Sequence, residues 1–244
     1  MKILVTNDDG VDAEGLGVLA EALSRMHEVW VLAPDHERSG ASHSVNLHEP
    51  CRLYKKTDRT YSCSGTPADC VMFARLGILP FEPDVVVSGI NRGPNLGTDI
   101  LYSGTCAAAR QAALFDIPGI AVSCASRNGP FLYRAAASFV AANLERLVSH
   151  CSESVFMNVN APSLDSDLLD GVWTGISRRH YHDSVRPVEE ASGHIVCYLE
   201  PGRIESIGES HGDEAVVASG RVSVSPVLVH PQVRAGVSLG ESFR

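Results

Sequence analysis

Two neighbouring carboxylates near the amino terminus are the strongest chemical signal in the sequence. Asp8 and Asp9 come directly after the apolar run at 3–5, in a polar, turn-prone segment that ends at Gly10. The apolar run is typical of a buried strand, and ligands of an open parallel sheet bind beyond the carboxyl ends of its strands. Adjacent acids raise each other's pKa unless a cation neutralises them, and Mg²⁺ or Mn²⁺ suits such a pair. For an isolated Asp-Asp-Gly, the alternative is an acidic turn that caps the next helix.

A second polar segment, residues 35–50, follows the next predicted strand and leaves the same rim of the sheet. Within it, Ser39 and Gly40 offer a hydroxyl and exposed backbone amides to an anion or to a metal. The three histidines of this segment are irregularly spaced, which favours surface or hydrogen-bonding roles over metal ligation.

The passage at 89–109 is rich in glycine and asparagine and lies between a predicted strand and an Ala-rich helix. Glycines let the backbone approach a ligand closely. The neutral hydrogen-bonding side chains of the passage are Asn91, Asn95, Ser103 and Thr105. Residues 103–105 open the helix, so their amides lie at its positive end and form a ready phosphate site. The absence of G-K-[S/T] argues against a nucleoside-triphosphate P-loop.

The elements that must position these groups alternate between strand and helix. Apolar runs predict core strands at 3–5, 29–33, 85–88, 119–124 and 155–159. Helices are predicted at 14–26, at 66–76, from 103 onward and at 131–149, and a β-hairpin is predicted at 51–63. This order predicts a doubly wound, mostly parallel, Rossmann-like α/β catalytic core over residues 1–162. The first turn lacks G-x-G-x-x-G, so no dinucleotide fingerprint is present.

Residues 163–244 have a different character and predict a β-rich C-terminal extension. Short β-like runs occur at 171–176, 195–199, 215–217 and 222–229, with no further strong helix. A projecting arm is predicted at about 178–199. Because an isolated hairpin is marginal in water, we expect a homodimer or homotetramer in which the arm embraces a neighbouring subunit. The alternative is a hairpin folded back on its own core.

Composition narrows the function classes. The chain of 244 residues is 44% apolar and 20% charged, with a formal net charge of −9, which argues against a nucleic-acid polymer as partner. No stretch approaches a membrane span, so no membrane partner is expected. Seven dispersed cysteines without a C-x-x-C pair predict reduced thiols and a cytoplasmic protein, and they argue against a zinc site.

Four ordered motifs together resemble the SurE (stationary-phase survival protein) family. They are NDDG at 7–10, RSGAS at 38–42, GTPADCV at 65–71 and SGINRGPNLGTDILYSGT at 88–105. The resemblance runs to about residue 125 and continues more weakly at 213–226. It implies a metal-dependent 5′-nucleotidase that hydrolyses nucleoside 5′-monophosphates, with breadth toward 3′-nucleotides and short polyphosphate.

The resemblance also implies roles for individual residues and one divalent metal ion, Mg²⁺ or Mn²⁺, per subunit. The implied metal ligands are Asp8, Asp9, Ser39 and Asn95. The implied phosphate-binding residues are Gly40, Asn91, Ser103, Gly104 and Thr105. Asp8 and Asp9 are also the implied catalytic residues, since a carboxylate of the pair either orients the water or attacks phosphorus directly. Three positions depart from the family pattern: Cys106 replaces an aliphatic residue, Gln111 a Glu, and Arg221 a Tyr.

Two non-enzymatic alternatives stay open at this level. A receiver-like switch also has paired acids after its first strand and binds Mg²⁺, but it needs a lone Asp after the third strand and a Lys after the fifth. Here the third strand ends in Ser88 and Gly89, and residues 158–160 close the fifth without a Lys. A nucleotide-binding regulatory module without turnover would leave the acid pair unexplained.

Overall fold

A nine-stranded sheet forms the centre of the molecule in the computed structural model, which describes residues 1–167, 169–190, 192–207 and 210–232. In spatial order the strands are β3 (Leu53–Lys55), β4 (Thr60–Cys63), β2 (Glu28–Pro34), β1 (Lys2–Thr6), β5 (Val85–Arg92), β6 (Gly119–Ala125), β7 (Val155–Pro162), β13 (Val222–Leu228) and β8 (Gly171–Trp173). The predicted extension continues to 244, and its part at 233–244 lies outside the described residues.

The central six strands, from β4 to β7, are all parallel. Their order reverses between β1 and β5, the strands from which the chain winds in opposite directions. Helices α1 (Glu14–Ser24) and α4 (Arg134–Val148) pack together on one face of the sheet, and α2 (Pro67–Phe73) and α3 (Gly104–Ala113) on the other. The predicted doubly wound α/β fold is therefore confirmed.

Strand β1 shows why the core strands read as continuous apolar runs. Ile3 and Val5 belong to the apolar cluster on the α1/α4 face, whereas Leu4 belongs to the cluster on the α2/α3 face. All three side chains are fully buried. Successive residues of a strand point to opposite faces, so a strand covered by helices on both sides needs apolar residues at every position.

Two local predictions on the α2/α3 side are met with small differences. Thr66 caps α2 in a capping box with Asp69, as Thr-Pro at a helix start predicts. The predicted helix continued to residue 76, but the α-helix ends at Phe73 and a π-helical turn, Ala74–Ile78, follows it. Gly77 in that turn has a φ of 97°.

Strand β5 is longer than predicted. Its pairing with β6 shifts register between Ser88 and Asn91, after which pairing resumes to Arg92. A short 3₁₀ turn, Gly97–Leu101, then leads to α3.

The chain after residue 162 contributes both to the central sheet and to separate hairpins. Strand β13 pairs antiparallel to β7, and β8 forms the edge beside it. Strand β9 (Arg178–Tyr181) pairs with β12 (Ile204–Ile207). The arm is a hairpin of β10 (Ser184–Glu189) and β11 (Ile195–Glu200), and every residue of β10 is exposed. The division into two domains at residue 162 stays a prediction.

One secondary-structure prediction in this part was wrong. The run at 215–217 was expected to be β, but it lies in helix α5 (Asp213–Ala218). Two acids in the first turn suit a helix amino terminus, and the Asp213 side chain accepts a hydrogen bond from the Glu214 amide at 2.9 Å. The apolar run buries Val216 against β13 and β7, so tertiary contact outweighs the β propensity of valine.

None of the helices in the described part of the chain has the length and apolarity needed to cross a membrane. All seven cysteines lie in that part and are unpaired.

Candidate active site

The predicted site residues gather at the carboxyl ends of the parallel strands, where the strand order reverses between β1 and β5. A cavity of about 540 Å³ opens there, and we refer to it as the main cavity. It is lined by Asp8, Ser39, Gly40, Asn91, Arg92, Pro94, Asn95, Asp99, Tyr102, Ser103, Tyr181, Asp183 and Leu199. Ligands of open α/β sheets bind at such a reversal point, and the acid pair lies at the carboxyl end of its strand, as predicted.

Asp8 is buried at the floor of the main cavity, with 3% of its surface exposed. Its carboxylate accepts a hydrogen bond from the Gly104 amide at 3.1 Å and another from the Thr105 hydroxyl. These donors favour the charged form, but burial outweighs them and raises the pKa of Asp8. A Cβ at Gly104 would lie 2.8 Å from the Asp8 Cβ, so the helix start can approach the carboxylate only as glycine.

Asp9 is partly buried and faces a neighbouring side cavity of about 490 Å³. Its carboxylate accepts a hydrogen bond from the Arg92 amide at 3.0 Å. Burial, with the nearby charges of Asp8 and Glu37, raises the pKa of Asp9 to about 6. The turn that presents both acids is held by Asn7, whose side chain donates to the Gly10 carbonyl and accepts from the Gly10 amide.

Asn95 is held on three sides at the bottom of the main cavity. Its backbone amide donates to Asn160 Oδ1 at 2.8 Å. Its carbonyl accepts from the side-chain amides of Asn158 at 2.8 Å and Asn160 at 3.1 Å. Its own Nδ2 donates to the Ser123 hydroxyl at 2.8 Å. Within the described residues no hydrogen bond reaches Asn95 Oδ1, so this oxygen is the atom left over for a ligand.

Ser39 and Gly40 lie on the exposed loop between β2 and β3. The Ser39 hydroxyl donates to Glu37 Oε1 at 2.8 Å, and Ser39 lines both the main and the side cavity. Gly40 has a φ of 75°, and no atom lies within 4 Å of the point that a Cβ would occupy there, so its backbone faces open space. Both residues therefore lie beside Asp8, as predicted, but on a surface loop rather than on the sheet.

Hydrogen bonds from the following residues anchor this loop to the core. The Ser42 amide donates to the Tyr102 carbonyl at 3.1 Å, and its hydroxyl donates to the Leu101 carbonyl at 2.6 Å. The Asn46 backbone amide and side chain both donate to the buried Asp69 carboxylate, at 3.0 and 2.6 Å. The Asp69 of the GTPADCV motif thus ties the loop to the start of α2.

The five predicted phosphate-binding residues lie together around Asp8 and the main cavity. Two of them already use their donors to bind the Asp8 carboxylate. Gly104 and Thr105 donate to Asp8, whereas Ser103 caps α3 by accepting from the Cys106 amide at 3.0 Å. Asn91 donates through Nδ2 to the Gly93 carbonyl at 2.9 Å and lies beside the Thr105 hydroxyl. Ser103, Gly40 and Asn91 line the main cavity. Phosphate binding by the five residues stays a prediction.

The donor set at the floor fits a hard divalent cation. The predicted ligands supply two carboxylates, the Oδ1 atom of Asn95 and the hydroxyl of Ser39, all oxygen ligands of the kind that Mg²⁺ and Mn²⁺ prefer. In the described ranges neither Asp8 nor Asp9 forms an ion pair, and the charge of Arg92 lowers the pKa of Asp9 by less than burial raises it. In the same ranges no three His, Cys, Asp or Glu side chains are grouped to hold a metal, so any site here depends on neutral oxygens too.

Sequence reasoning missed the residues that support this floor. Ser123, Asn158 and Asn160 hold Asn95, and all three are fully buried. A signal was present: two asparagines separated by one residue in an otherwise apolar strand point to the same face. Arg92, which donates to Asp9 and lines both cavities, was likewise not singled out.

Two of the three departures from the family pattern lie near the site. Cys106 is fully buried, its thiol lies 3.5 Å from Asn158 Oδ1, and burial raises its pKa to about 12. The Gln111 side-chain oxygen lies 2.9 Å from Nε2 of His43 on the Ser39 loop. Arg221 is exposed and contacts Ser219 before β13, away from both cavities.

Fold and site together define a doubly wound α/β protein with a paired-carboxylate centre at its strand-order reversal, next to a helix amino terminus. The family model described as "Survival protein SurE" matches residues 3–183. The chain therefore belongs to the SurE family, which confirms the resemblance seen in the four motifs.

Similar proteins agree with this assignment over nearly the whole chain. "5′-nucleotidase SurE" of Kosmotoga olearia is 42% identical, covering 93% of this chain and 92% of the relative. The protein of the same name from Geotalea uraniireducens is 41% identical, with 93% and 92% covered. The crystal structure of the SurE protein from Aquifex aeolicus is 33% identical and superposes with a TM-score of 0.82, covering 95% of each chain.

Proposed function

We propose that the protein is a metal-dependent phosphomonoesterase that hydrolyses nucleoside 5′-monophosphates to nucleoside and phosphate. The observation that carries the proposal is the acid pair: two neighbouring desolvated carboxylates that form no ion pair within the described residues, with Asp8 on the main cavity and Asp9 on the side cavity next to it. The names of the relatives, which are 5′-nucleotidases, support the choice of substrate. 3′-Nucleotides and short polyphosphate are further substrates within this proposal.

Asp8, Asp9, Ser39 and Asn95 would hold one divalent ion, Mg²⁺ or Mn²⁺. When bound, such an ion supplies positive charge that polarises a phosphoryl oxygen. Its binding also removes the unfavourable repulsion between the two carboxylates, which the protein alone does not offset. The Asn95 side chain needs no reorganisation to take part, since its amide nitrogen is already committed to Ser123.

The remaining groups act on the phosphate and on the reacting water. Ser103, Gly40 and Asn91 line the cavity as hydrogen-bonding groups for the equatorial oxygens, where negative charge spreads in the transition state. Water adds to phosphorus, the bond from phosphorus to the 5′-oxygen breaks, and one proton of that water ends on the nucleoside oxygen. A carboxylate of the Asp8–Asp9 pair either orients that water, or attacks phosphorus first and forms an acyl phosphate that the water then hydrolyses to phosphate and the free carboxylate.

Phosphate release from AMP tests the proposal. The protein is treated with EDTA, dialysed and assayed without metal, with Mg²⁺ and with Mn²⁺, and 3′-AMP and tripolyphosphate form separate arms. We expect release that requires a divalent ion. A receiver-like or nucleotide-binding regulatory module without turnover is the alternative, and it predicts no release from AMP with any of these metals.

We also propose that the arm of β10 and β11 joins subunits into a homodimer or homotetramer. The supporting observation is the exposure of apolar side chains on the hairpin, which packs on no other strand in the described ranges: Val185 at 58%, Ile195 at 62% and Leu199 at 68%. Replacing the hairpin, residues 184–200, with a short Gly-Ser turn and measuring the mass by light scattering tests this. An unchanged mass would contradict it. The cytoplasmic location stays a prediction of the sequence.

A further inference from the structure

The main cavity is larger than a metal and a phosphate group require. Its floor carries the groups already described, and its outer half has a wall of different composition. That wall is formed by Pro94, Asp99, Tyr102, Tyr181, Asp183 and Leu199. A volume of about 540 Å³ lies within the roughly 300–1,000 Å³ of small-molecule sites, so there is room for a group attached to the phosphate.

Tyr102 offers an aromatic face to this space. Its surface is 60% exposed, and within the described residues its ring contacts no other aromatic ring and no cation. It directly precedes Ser103, the amino-terminal cap of α3, so the ring stands one residue from a predicted phosphate ligand. An exposed aromatic ring at that distance is a stacking surface that suits any nucleobase.

Leu199 and Asp183 complete the wall from the extension. Leu199 is 68% exposed and adds an apolar surface. Asp183 accepts a hydrogen bond from the Gly202 amide through Oδ1 at 2.9 Å. Its second carboxylate oxygen has no hydrogen bond in the described part of the chain, so it can accept from a sugar hydroxyl. The hairpin predicted only as an oligomerisation arm thus contributes to the cavity of its own chain.

The wall is held in place by buried charge. The Arg179 side chain is fully buried and pairs with Asp99 and, at 3.2 Å, with Glu214. Asp99 also accepts from the Tyr181 hydroxyl, and the Arg179 amide donates to the Thr98 hydroxyl at 3.0 Å. This network fixes β9 to the 3₁₀ turn of the core, so Tyr181 and the residues after it have a defined position.

The side cavity is a poorer place for a nucleobase. It is lined by two aromatic rings: Tyr133 is only 7% exposed, and Phe131 has the Arg92 guanidinium over it at 4.9 Å from the ring centre. Its rim carries the carboxylates of Asp9, Glu14 and Glu37. These charges favour a cation or water there, whereas the wall of the main cavity presents an uncovered ring and an aliphatic side chain.

We propose that the outer half of the main cavity is a nucleoside subsite, in which Tyr102 stacks on the base and Asp183 binds the ribose hydroxyls. This inference rests on the proposed function, because it places the phosphate of the same substrate at the floor. It assigns the extension a role in substrate recognition, and the bound group is a nucleoside of any base, since stacking does not discriminate strongly among bases.

The first experiment separates nucleoside recognition from phosphate chemistry. Tyr102→Ala and wild type are assayed with AMP and with glycerol 2-phosphate, a phosphomonoester without a base. We expect kcat/KM for AMP to fall by about 5- to 100-fold, mainly through KM, and that for glycerol 2-phosphate to stay unchanged. Tyr54→Ala is the matched control, since Tyr54 is similarly exposed, at 56%, on the distant edge strand β3.

Asp183→Asn tests the sugar contact with the Gly202 bond kept, because asparagine retains the accepting oxygen. Wild type should prefer AMP over 2′,3′-dideoxy-AMP, and the variant should lose the part of that preference that comes from a charge-assisted hydrogen bond, since its amide can still donate to a hydroxyl. Equal activity of wild type on both nucleotides would overturn the assignment of Asp183.

The remaining outcomes distinguish this inference from the proposed function. An equal loss with both esters in Tyr102→Ala, or no loss, overturns the subsite, as does an AMP-specific loss in Phe131→Ala, which would place the base in the side cavity. If wild type hydrolyses neither ester, the proposed function fails. Adenosine binding by calorimetry then decides the subsite alone: it must be present in wild type and weakened in Tyr102→Ala, or the inference is wrong.

Discussion

The floor and the wall of the main cavity are built in opposite ways. At the floor, Asp8, Asn95 and Ser103 are at most 6% exposed, and each is hydrogen-bonded to buried neighbours. At the wall, Tyr102 and Leu199 are more than half exposed. Buried, hydrogen-bonded groups hold their positions closely, whereas exposed side chains keep rotamer freedom. The side chains proposed for catalysis therefore lie where a shift in their position costs free energy. The side chains proposed for substrate recognition lie where a different residue can be accommodated.

The largest effect should come from the floor itself. We expect Asp8→Asn to lower kcat for AMP by roughly 10²–10³-fold at saturating Mn²⁺, because the amide cannot supply the anionic ligand. Asp12→Asn removes the same charge from an exposed position that pairs with Lys56, and it should have little effect. Near-normal turnover in Asp8→Asn would show that the acid pair is not needed for hydrolysis. The floor and the wall would then not differ in their roles as proposed.

At the start of α3, next to Asp8, a side chain larger than that of glycine should lower activity. In Gly104→Ala the new Cβ would meet the Asp8 carboxylate, so we expect a loss on the order of 100-fold in kcat and weaker Mn²⁺ binding. Gly17→Ala is the matched control, since no atom lies within 4 Å of its Cβ position in α1. That control should keep full activity and gain about 0.5–1 kcal/mol of stability. Unchanged metal affinity in Gly104→Ala would mean that the contact does not position Asp8.

The support beneath Asn95 should matter less than the ligands but more than the wall. Asn160→Ala removes one hydrogen bond to the Asn95 amide and one to its carbonyl. We expect roughly 10-fold weaker metal-activated turnover and about 1–3 kcal/mol lower stability in urea. Asn143→Ala, which removes a half-buried bond within α4, controls for stability alone. Matching activity losses in the two variants would indicate a purely structural role for Asn160.

Without a bound metal, the burial of the acid pair should make the free energy of unfolding depend on pH. Burial raises the pKa of Asp9 from 3.8 to about 6, so the folded protein binds this proton more tightly than the unfolded chain. Its stabilising contribution is complete below pH 3.8 and is lost as the pH rises through about 6. EDTA-treated wild type should therefore lose more stability than Asp9→Asn between about pH 4 and about pH 6 in urea unfolding, and the two curves should run parallel above that range. Curves that are parallel within that range as well would show that Asp9 is not desolvated.

The smallest effect should come from an exposed ion pair at the base of the arm, away from its turn. Arg186 and Glu200 form an exposed pair at 2.7 Å across β10 and β11. Because exposed ion pairs contribute at most about 1 kcal/mol, Arg186→Ala should leave stability nearly unchanged and kcat/KM for AMP within about twofold of wild type. A larger loss of activity would extend the recognition surface beyond the wall of the main cavity.

Local chemistry explains how much of this could be predicted from the sequence. The acid pair was predictable because a buried strand and the polar turn after it are adjacent in the chain, and parallel strands place all such turns on one rim. The bond from Asn95 to Asn160 spans 65 residues, so spacing alone could not pair them. Asp183 and Leu199 reach the cavity through the path of β9 and the arm, a tertiary arrangement that no local pattern encodes.

The same reasoning explains the one wrong element. In the run at 215–217 the two valines favour a strand in isolation, yet the buried contacts of Val216 and the position of Asp213 set a helix there. The β propensity of three residues contributes less free energy than the burial of the Val216 side chain and the hydrogen bonds of the Asp213 carboxylate.

The buried Asp213 carboxylate affects the stage of synthesis at which the complete cavity can form. It accepts from the Gly97 amide at 2.7 Å and from the Ser177 amide at 3.0 Å, joining the turn before α3 to the start of β9 across 116 and 36 residues. Domains fold from the amino terminus while the ribosome is still adding residues. A nascent chain can assemble the floor of the cavity once Asn160 has left the ribosome, but Asp213 can join the turn before α3 to β9 only after residue 213 has left it as well.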